Sequence, residues 1–234
     1  MANKGKYYES QFEEATIELL REAHWQYTFG DDIHRKYTDP LIEEDLRNFL
    51  AVQYKDKNLT TSEIDGIVAN LRNIGGQNDY YALRNAFLLY RDGYDFAYSD
   101  GRDNPFRLEY IDFKYPNHNV FRCVNQFVME QGRENRRPDI LLFINGIPVC
   151  IIELKNPTKQ NATIRDAHTQ ICTRYMRDIP ALLKYCALAV ISDGAKNALG
   201  TTYTPFEFFY EWKKIENEDK AGKAVSYTHL TLPT

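Results

Sequence analysis

Two short stretches carry the side chains with the most chemical potential: Arg136-Arg137-Pro138-Asp139, and Ile151-Ile152-Glu153-Leu154-Lys155-Asn156-Pro157. Glu153 and Lys155 are two apart, and on a strand that spacing puts both on one face. Asp139 lies on the preceding apolar run, with Asn145-Gly146 between the two runs as a hairpin signal. Two carboxylates and one ammonium therefore converge at one end of a two-stranded ribbon. This grouping suits phosphodiester hydrolysis. Asp139 and Glu153 are hard oxygen ligands for Mg²⁺, and the Leu154 carbonyl between the two side chains is a further one. The metal lowers the pKa of a bound water and offsets developing negative charge. Lys155 holds or deprotonates the attacking water and offsets phosphate charge.

A Glu-x-Lys pair on a strand is otherwise commonly a solvated face with a surface ion pair. Here Glu153 follows Val149-Cys150-Ile151-Ile152, which reads as a strand buried on both faces. A buried carboxylate must be paired or bound to a metal. The hairpin must also have the right register. A plain two-residue turn pairs Ile144 with Ile147, so Asp139 faces Ile152 and Glu153 points to the other side. A one-residue shift, with Ile144 opposite Pro148, sets Asp139 opposite Glu153. Gly146 permits a bulged or odd-numbered connection, and Pro148 has no N–H for a regular ladder bond. The expectation is that shifted register.

The elements that must hold this ribbon are legible in outline. An amphipathic helix is expected over 8–23, followed by a short strand at Trp25 to Phe29. Asp39-Pro40 opens a second helix, and the Thr60/Glu63 capping box opens a third that ends at Gly75-Gly76. Asp79 caps a fourth, which runs to Gly93. Strands are expected at Phe106–Phe113, Asn119–Glu130, Ile140–Ile144 and Ile147–Leu154. A helix over Ile164–Asp178, a turn at Leu182–Tyr185, a buried strand at Ala187–Ser192 and an aromatic helix over Phe206–Ile215 follow. Residues 216–224 read as a linker. The uncharged, Thr-rich 225–234 reads as a disordered or artefactual tail.

The 234 residues are enough for one large domain with a sizeable core. Lys plus Arg total 29 against 33 Asp plus Glu, a net charge of −4, so any nucleic-acid affinity must come from a local patch or from other domains or subunits. Cys123, Cys150, Cys172 and Cys186 fit neither a zinc ribbon nor a disulfide scaffold and read as buried free thiols in a reducing compartment. The five histidines are scattered, and His118 and His168 read as surface or loop residues. No stretch is long and apolar enough to span a bilayer, so the expected place is the cytoplasm, with no membrane partner.

RRPDILLFINGIPVCIIELKNP resembles the signature of the PD-(D/E)xK nuclease superfamily, and more narrowly the N-terminal nuclease region of the R subunit of type I restriction enzymes. The likeness continues through NHNVFRCVNQFVME, ATIRDAHTQICTRYMRDIP, CALAVISDG and LGTTYTPFEFFYEWKK. It is strong over 106–215 and looser over 8–105. It implies an α/β (α+β) fold with a central mixed β-sheet flanked by helices, restriction-endonuclease-like, with a helical N-terminal portion. The nuclease domain would then cover 1–215, mainly helical over 8–93 and with its catalytic sheet over 106–215. It further implies Mg²⁺-dependent cleavage of unmodified double-stranded DNA. The expected partners are the methyltransferase and specificity subunits of a restriction complex. The chain has no GxxxxGK[ST], so ATP would act only through motor domains outside it, and the chain reads as an N-terminal fragment.

The resemblance adds further positions. Phe12-Glu13 matches an acidic residue in the family's first helix, with Glu14 as the fallback. Glu13 is either a third metal-site carboxylate or a solvated helix residue. The family's Gln-x-x-x-Tyr motif is present with one residue too many, Gln170 to Tyr175. Regular helical geometry pairs Gln170 with Arg174 and rotates Tyr175 off that face. Gln170 is the expected DNA or active-site contact, and Tyr175 is either part of it or a packed core residue. Arg133, Arg136 and Arg137 form a basic cluster, either a phosphate anchor or a solvated loop. Two other functions remain open: a docking module anchoring the motor to the methyltransferase and specificity subunits, and a stand-alone repair or mobile-element nuclease.

Overall fold

The computed structural model describes residues 3–155, 163–194 and 196–211, with side chains from residue 10 onward. Helix α1 (Asn3–Glu22) leads into strand β1 (Gln26–Phe29). Three helices follow: α2 (Glu43–Gln53), α3 (Thr61–Arg72) and α4 (Asp79–Asp92). The expected capping box opens α3, with the Glu63 N–H donating to the Thr60 hydroxyl at 3.2 Å and the Thr60 N–H to the Glu63 carboxylate at 2.8 Å. Pro40 does not begin α2. The Ile42 N–H donates instead to the Gly146 carbonyl at 2.9 Å, and the helix starts one residue later. α3 ends at Arg72, before the two glycines. The cap of α4 is Asn78 rather than Asp79, its side-chain oxygen accepting from the Tyr81 N–H at 3.1 Å.

The strand expected through Phe113 stops early. β2 (Tyr94–Phe96) and β3 (Phe106–Leu108) form a small ribbon, after which the chain turns inward and buries Tyr110, Ile111 and Asp112. The run over 119–130 is broken by Gln126, whose φ of +54° ends β4 (Phe121–Asn125). β5 (Met129–Gln131) then pairs with β6 (Glu134–Arg136) as a second ribbon. β7 (Ile140–Ile144) and β8 (Ile147–Leu154) form the expected hairpin. The helix after it is composite: α5 (Ile164–Thr169), a π-helical turn over Gln170–Tyr175, and α6 (Met176–Asp178). Helix α7 (Pro180–Leu183) replaces the expected turn, and β9 (Leu188–Ser192), β10 (Asn197–Gly200) and β11 (Tyr210–Glu211) are the last elements among the described residues. The aromatic helix does not form. Phe206–Phe208 is one 3-10 turn, and Tyr210–Glu211 pairs with β10 because Phe209 packs on His168 and over Gly200. The rest of that stretch, the linker 216–224 and the tail 225–234 lie outside the described residues.

The main sheet is mixed, in the order β1-β4-β7-β8-β9-β10-β11, with β1/β4 and β8/β9 parallel and the other pairs antiparallel. One edge of this sheet therefore gathers the C-terminal ends of β1, β4, β8 and β9 with the N-terminal end of β7. Alternation sends Cys123, Ile140, Cys150, Ile152 and Leu154 toward α1, where Ile17 packs on them. Val124, Leu141, Phe143, Ile151, Ala189 and Ile191 face Ala167, Ile171 and Tyr175 on the opposite side. Because β8 is covered on both faces, its sequence is a continuous apolar run rather than an alternating one. Helices α2–α4 build a core of their own, which meets the sheet at Ile147. Cys123, Cys150 and Cys186 are buried free thiols, as expected, and Cys172 is half-buried.

Candidate active site

The β7–β8 hairpin turns at Asn145 (φ +50°) and Gly146 (φ +76°), so both central residues are left-handed, as a tight two-residue turn of this hand requires. Ile144 pairs with Ile147 and Phe143 with Pro148, the register of a plain turn. The ladder then shifts: Leu142 pairs with Cys150, Leu141 with Ile151 and Ile140 with Ile152. Val149 is the extra residue. The register expected from chemistry is present, but the bulge lies in the strand, not in the connection. The turn itself cannot absorb it, because α2 holds the Gly146 carbonyl and Asn145 is buried. The shift follows Pro148, the residue with no N–H to hold the ladder.

Continuing the shifted register sets Asp139 opposite Glu153, and the side chains meet accordingly. The Leu154 N–H donates to Asp139 Oδ2 at 2.8 Å. Lys155 Nζ donates to Glu153 Oε1 at 2.7 Å and to Gln170 Oε1 at 2.8 Å. Gln170 Nε2 donates in turn to the Tyr175 hydroxyl at 2.7 Å. Glu153, Lys155, Gln170 and Tyr175 thus form one chain of hydrogen bonds across the face of the sheet opposite α1.

The expectation that Tyr175 rotates away from Gln170 is corrected. The helix widens to π over these six residues, so residues five apart share a face, and the surplus residue is absorbed in the turn. Arg174, the partner expected from regular geometry, is exposed. Tyr175 is both packed in the core and bonded to the site.

Glu153 is 1% exposed, and its Oε2 has no hydrogen-bond partner. Burial pushes its carboxyl up to about 8, and repulsion from Asp139 adds to the rise, while Lys155 and Tyr175 pull against it. The Tyr175 phenol is itself pushed up by burial and by the Glu153 charge. Lys155 answers one oxygen of this buried acid, while the other has no hydrogen bond and a second carboxylate stands beside it; a divalent cation with a preference for oxygen fits that remaining place.

Glu13 reaches the same edge of the sheet from the other face. Its Oε1 accepts from Asn125 Nδ2 at 2.6 Å, and its Oε2 from Gln126 Nε2 at 2.9 Å. Tyr27 donates its hydroxyl to Asn125 Oδ1 at 3.0 Å. Among the described residues no group of three or more His, Cys, Asp or Glu stands close enough to hold a metal ion, so Glu13 does not join Asp139 and Glu153 as a third direct ligand in this arrangement. It is not a solvated residue either, being half-buried and held by two amides. Glu14 is exposed. Sequence reasoning missed Asn125 and Gln126. The signal was an Asn-Gln pair interrupting an apolar strand run.

The arginine cluster divides. Arg136 is tied down, its Nε donating to the buried Asp178 at 2.7 Å and its second arm to Glu134 at 2.5 Å, so it braces β6 against α6 rather than offering a charge. Arg133 and Arg137 are exposed. His118 is exposed at the end of a 3-10 turn (Pro116–His118), and its Nδ1 lies 2.9 Å from the Asp112 carboxylate. His168, expected on the surface or in a loop, is half-buried on α5, with its Nε2 at 2.9 Å from the Thr204 carbonyl. Among the described residues no helix is long and apolar enough to cross a membrane.

Residues 6–208 match the family described as type I restriction enzyme R protein N terminus. The chain is 29% identical over 229 residues to the type I restriction enzyme HindI endonuclease subunit of Haemophilus influenzae, covering 92% of this chain and 21% of that protein. It is 31% identical over 162 residues to the type I restriction enzyme EcoprrI endonuclease subunit of Escherichia coli, covering 65% of this chain and 45% of that one. It spans about a fifth of the length of the Haemophilus protein.

Proposed function

Because the chain belongs to the family of type I restriction enzyme R protein N-terminal regions, we propose that it is the Mg²⁺-dependent endonuclease domain of such an enzyme, hydrolysing phosphodiester bonds of unmodified double-stranded DNA. The observation that carries this reading is the Asp139–Glu153–Lys155 grouping with its orphaned, buried Glu153 oxygen. Asp139, Glu153 and the Leu154 carbonyl would hold the ion. When bound, it would lower the pKa of water and offset charge on the phosphate.

The chain's own residues do the rest. Lys155, one ammonium between Glu153 and Gln170, orients the attacking water and faces the phosphate. Gln170 holds that ammonium with its carbonyl oxygen, and Tyr175 orients the amide, so Gln170 acts first as a positioning residue and only then as a DNA contact. Arg137 is available for a backbone phosphate. Double-stranded DNA and the methyltransferase and specificity subunits are the partners this reading implies.

The test is cleavage of unmodified DNA by the assembled complex. Asp139→Ala, Glu153→Ala and Lys155→Ala should each lower the rate by about a thousandfold or more, the scale of losing a group that stabilises transition-state charge, with the far-ultraviolet dichroism unchanged. A Glu153→Ala complex that cut at the wild-type rate would reject the assignment.

A further inference from the structure

Gln126 stands where four elements meet, and nothing in the reaction chemistry above uses it. It is one of four described non-glycine residues with positive φ, at +54°. Its backbone N–H donates to the Asp139 carbonyl at 3.1 Å, extending the β4–β7 ladder one step past Asn125 and Ile140. Its side-chain amide turns the other way and donates to both oxygens of Glu13, at 2.9 and 3.2 Å. Its carbonyl is covered by the end of β1: a Cβ at Gly30 would stand 2.6 Å from the Gln126 oxygen and 2.9 Å from that of Asn125. Neighbouring Asn125 gives Glu13 a second amide at 2.6 Å and takes the Tyr27 hydroxyl.

Two features separate this arrangement from ordinary strand-end packing. A left-handed glutamine costs roughly 1 kcal/mol or more, and an unstrained alternative would be glycine, which has no amide. The same residue binds the backbone of Asp139 within the sheet ladder and the side chain of Glu13 on the α1 face. We propose that Gln126, seconded by Asn125, is a positioning residue that fixes Asp139 against Glu13, so that the α1 carboxylate and the metal-binding end of the hairpin keep one relative placement. This inference rests on the proposed metal site. Glu13 then acts at one remove from the ion: through Gln126 it sets where the Asp139 carboxylate points, and it places a negative charge behind that carboxylate on the α1 side.

The experiment is a Mn²⁺ titration of the 234-residue chain, followed by the electron paramagnetic resonance of free Mn²⁺, with unfolding midpoints measured on the same samples. Wild type should bind and Glu153→Gln should not. Gln126→Ala and Gln126→Gly should each weaken Mn²⁺ about tenfold, because both remove the amide while only one keeps the backbone strain. Glu13→Gln should weaken it to a similar degree, and the Gln126→Ala, Glu13→Gln double variant no further, since the two changes break one link. Gln126→Asn, which keeps an amide and tolerates the left-handed region, should recover part of the affinity. A merely structural role would lower the unfolding midpoint and leave the Mn²⁺ affinity of the folded chain unchanged. That result, with wild type binding and Glu153→Gln silent, overturns the inference alone. A wild-type chain that takes up no Mn²⁺, or a Glu153→Gln chain that binds as well as wild type, overturns the metal site itself.

Discussion

The two ends of the β7–β8 hairpin bury polar side chains equally deeply and treat them in opposite ways. At the turn, Asn145 is 0% exposed, and its backbone N–H and both side-chain polar atoms are engaged. Its N–H donates to the Val120 carbonyl at 2.9 Å, its Oδ1 accepts from the Val120 N–H at 2.8 Å, and its Nδ2 donates to the Tyr110 carbonyl and to Asn119 Oδ1. At the open end, Glu153 is as buried, yet one oxygen has no partner and a second carboxylate lies across the ladder. Satisfied burial makes Asn145 a fastener. Partly unsatisfied burial, with one oxygen on Lys155 and the other unpartnered, marks Glu153 as a place where a cation would be stabilised.

The sharpest way to break this contrast is at the turn. Asn145→Ala removes a side chain that meets three groups, leaves the Val120 N–H and the Tyr110 carbonyl without it, and keeps the left-handed backbone. The expected cost is about 3–5 kcal/mol, read as a lower denaturant midpoint with an unchanged slope.

The open end should respond with the opposite sign. Glu153 holds its proton up to about 8 in the fold, against 4.5 ordinarily, so between those values the folded chain binds more protons than the unfolded one. Stability from this group is therefore greatest below pH 4.5 and falls as the pH rises to about 8. In the absence of divalent metal, Glu153→Gln should raise the unfolding free energy of the chain at pH 8 by on the order of a few kcal/mol, read as a higher denaturant midpoint. The gain should vanish near pH 4.5. A metal-free Glu153→Gln chain no more stable than wild type at pH 8 would mean that the acid is not held against its charge.

The smallest effect belongs to Tyr175→Phe. It removes the hydroxyl that takes the Gln170 amide and also acts on the Glu153 carboxyl, so about 1 kcal/mol of stability is at stake. Its use is diagnostic: cleavage should fall with it if Gln170 orients Lys155, and stay level if the ring merely packs.

The register was legible in the sequence because a chemical requirement selected it: Asp139 and Glu153 can share an ion only when the ladder shifts by one. The place of the shift was not legible. Asn145-Gly146 is itself a complete two-residue turn, and its attachment to α2 and to the loop around Val120 involves residues far away in the chain. The π turn was hidden for a related reason. One extra residue between Gln170 and Tyr175 reads as a break in regular helical spacing, and only the packing of Ile171 and Tyr175 into the core makes the wider turn the better fit. Phe206–Ile215 looked helical from its aromatic and charged composition, but the ring of Phe209 has a seat on Gly200 and His168 that an extended backbone reaches. Glu13 was found by resemblance. Its amide partners were not, since nothing local marks a glutamine that works from a left-handed backbone.

The seat of Gly146 on α2 has a mechanical consequence. A Cβ at Gly146 would stand 2.1 Å from the Ile42 carbonyl oxygen, so the tip of the hairpin is pressed directly onto the entry of a helix, with no side chain between them to yield. From that contact β8 runs eight residues to Leu154, a stiff rod of roughly 25 Å with the two carboxylates at its far end. The helical layer α2–α4 is therefore joined by one strand to the end of the sheet that carries Glu153. Between Gly146 and Glu153 the ladder is regular except at Val149, where the register shifts by one residue.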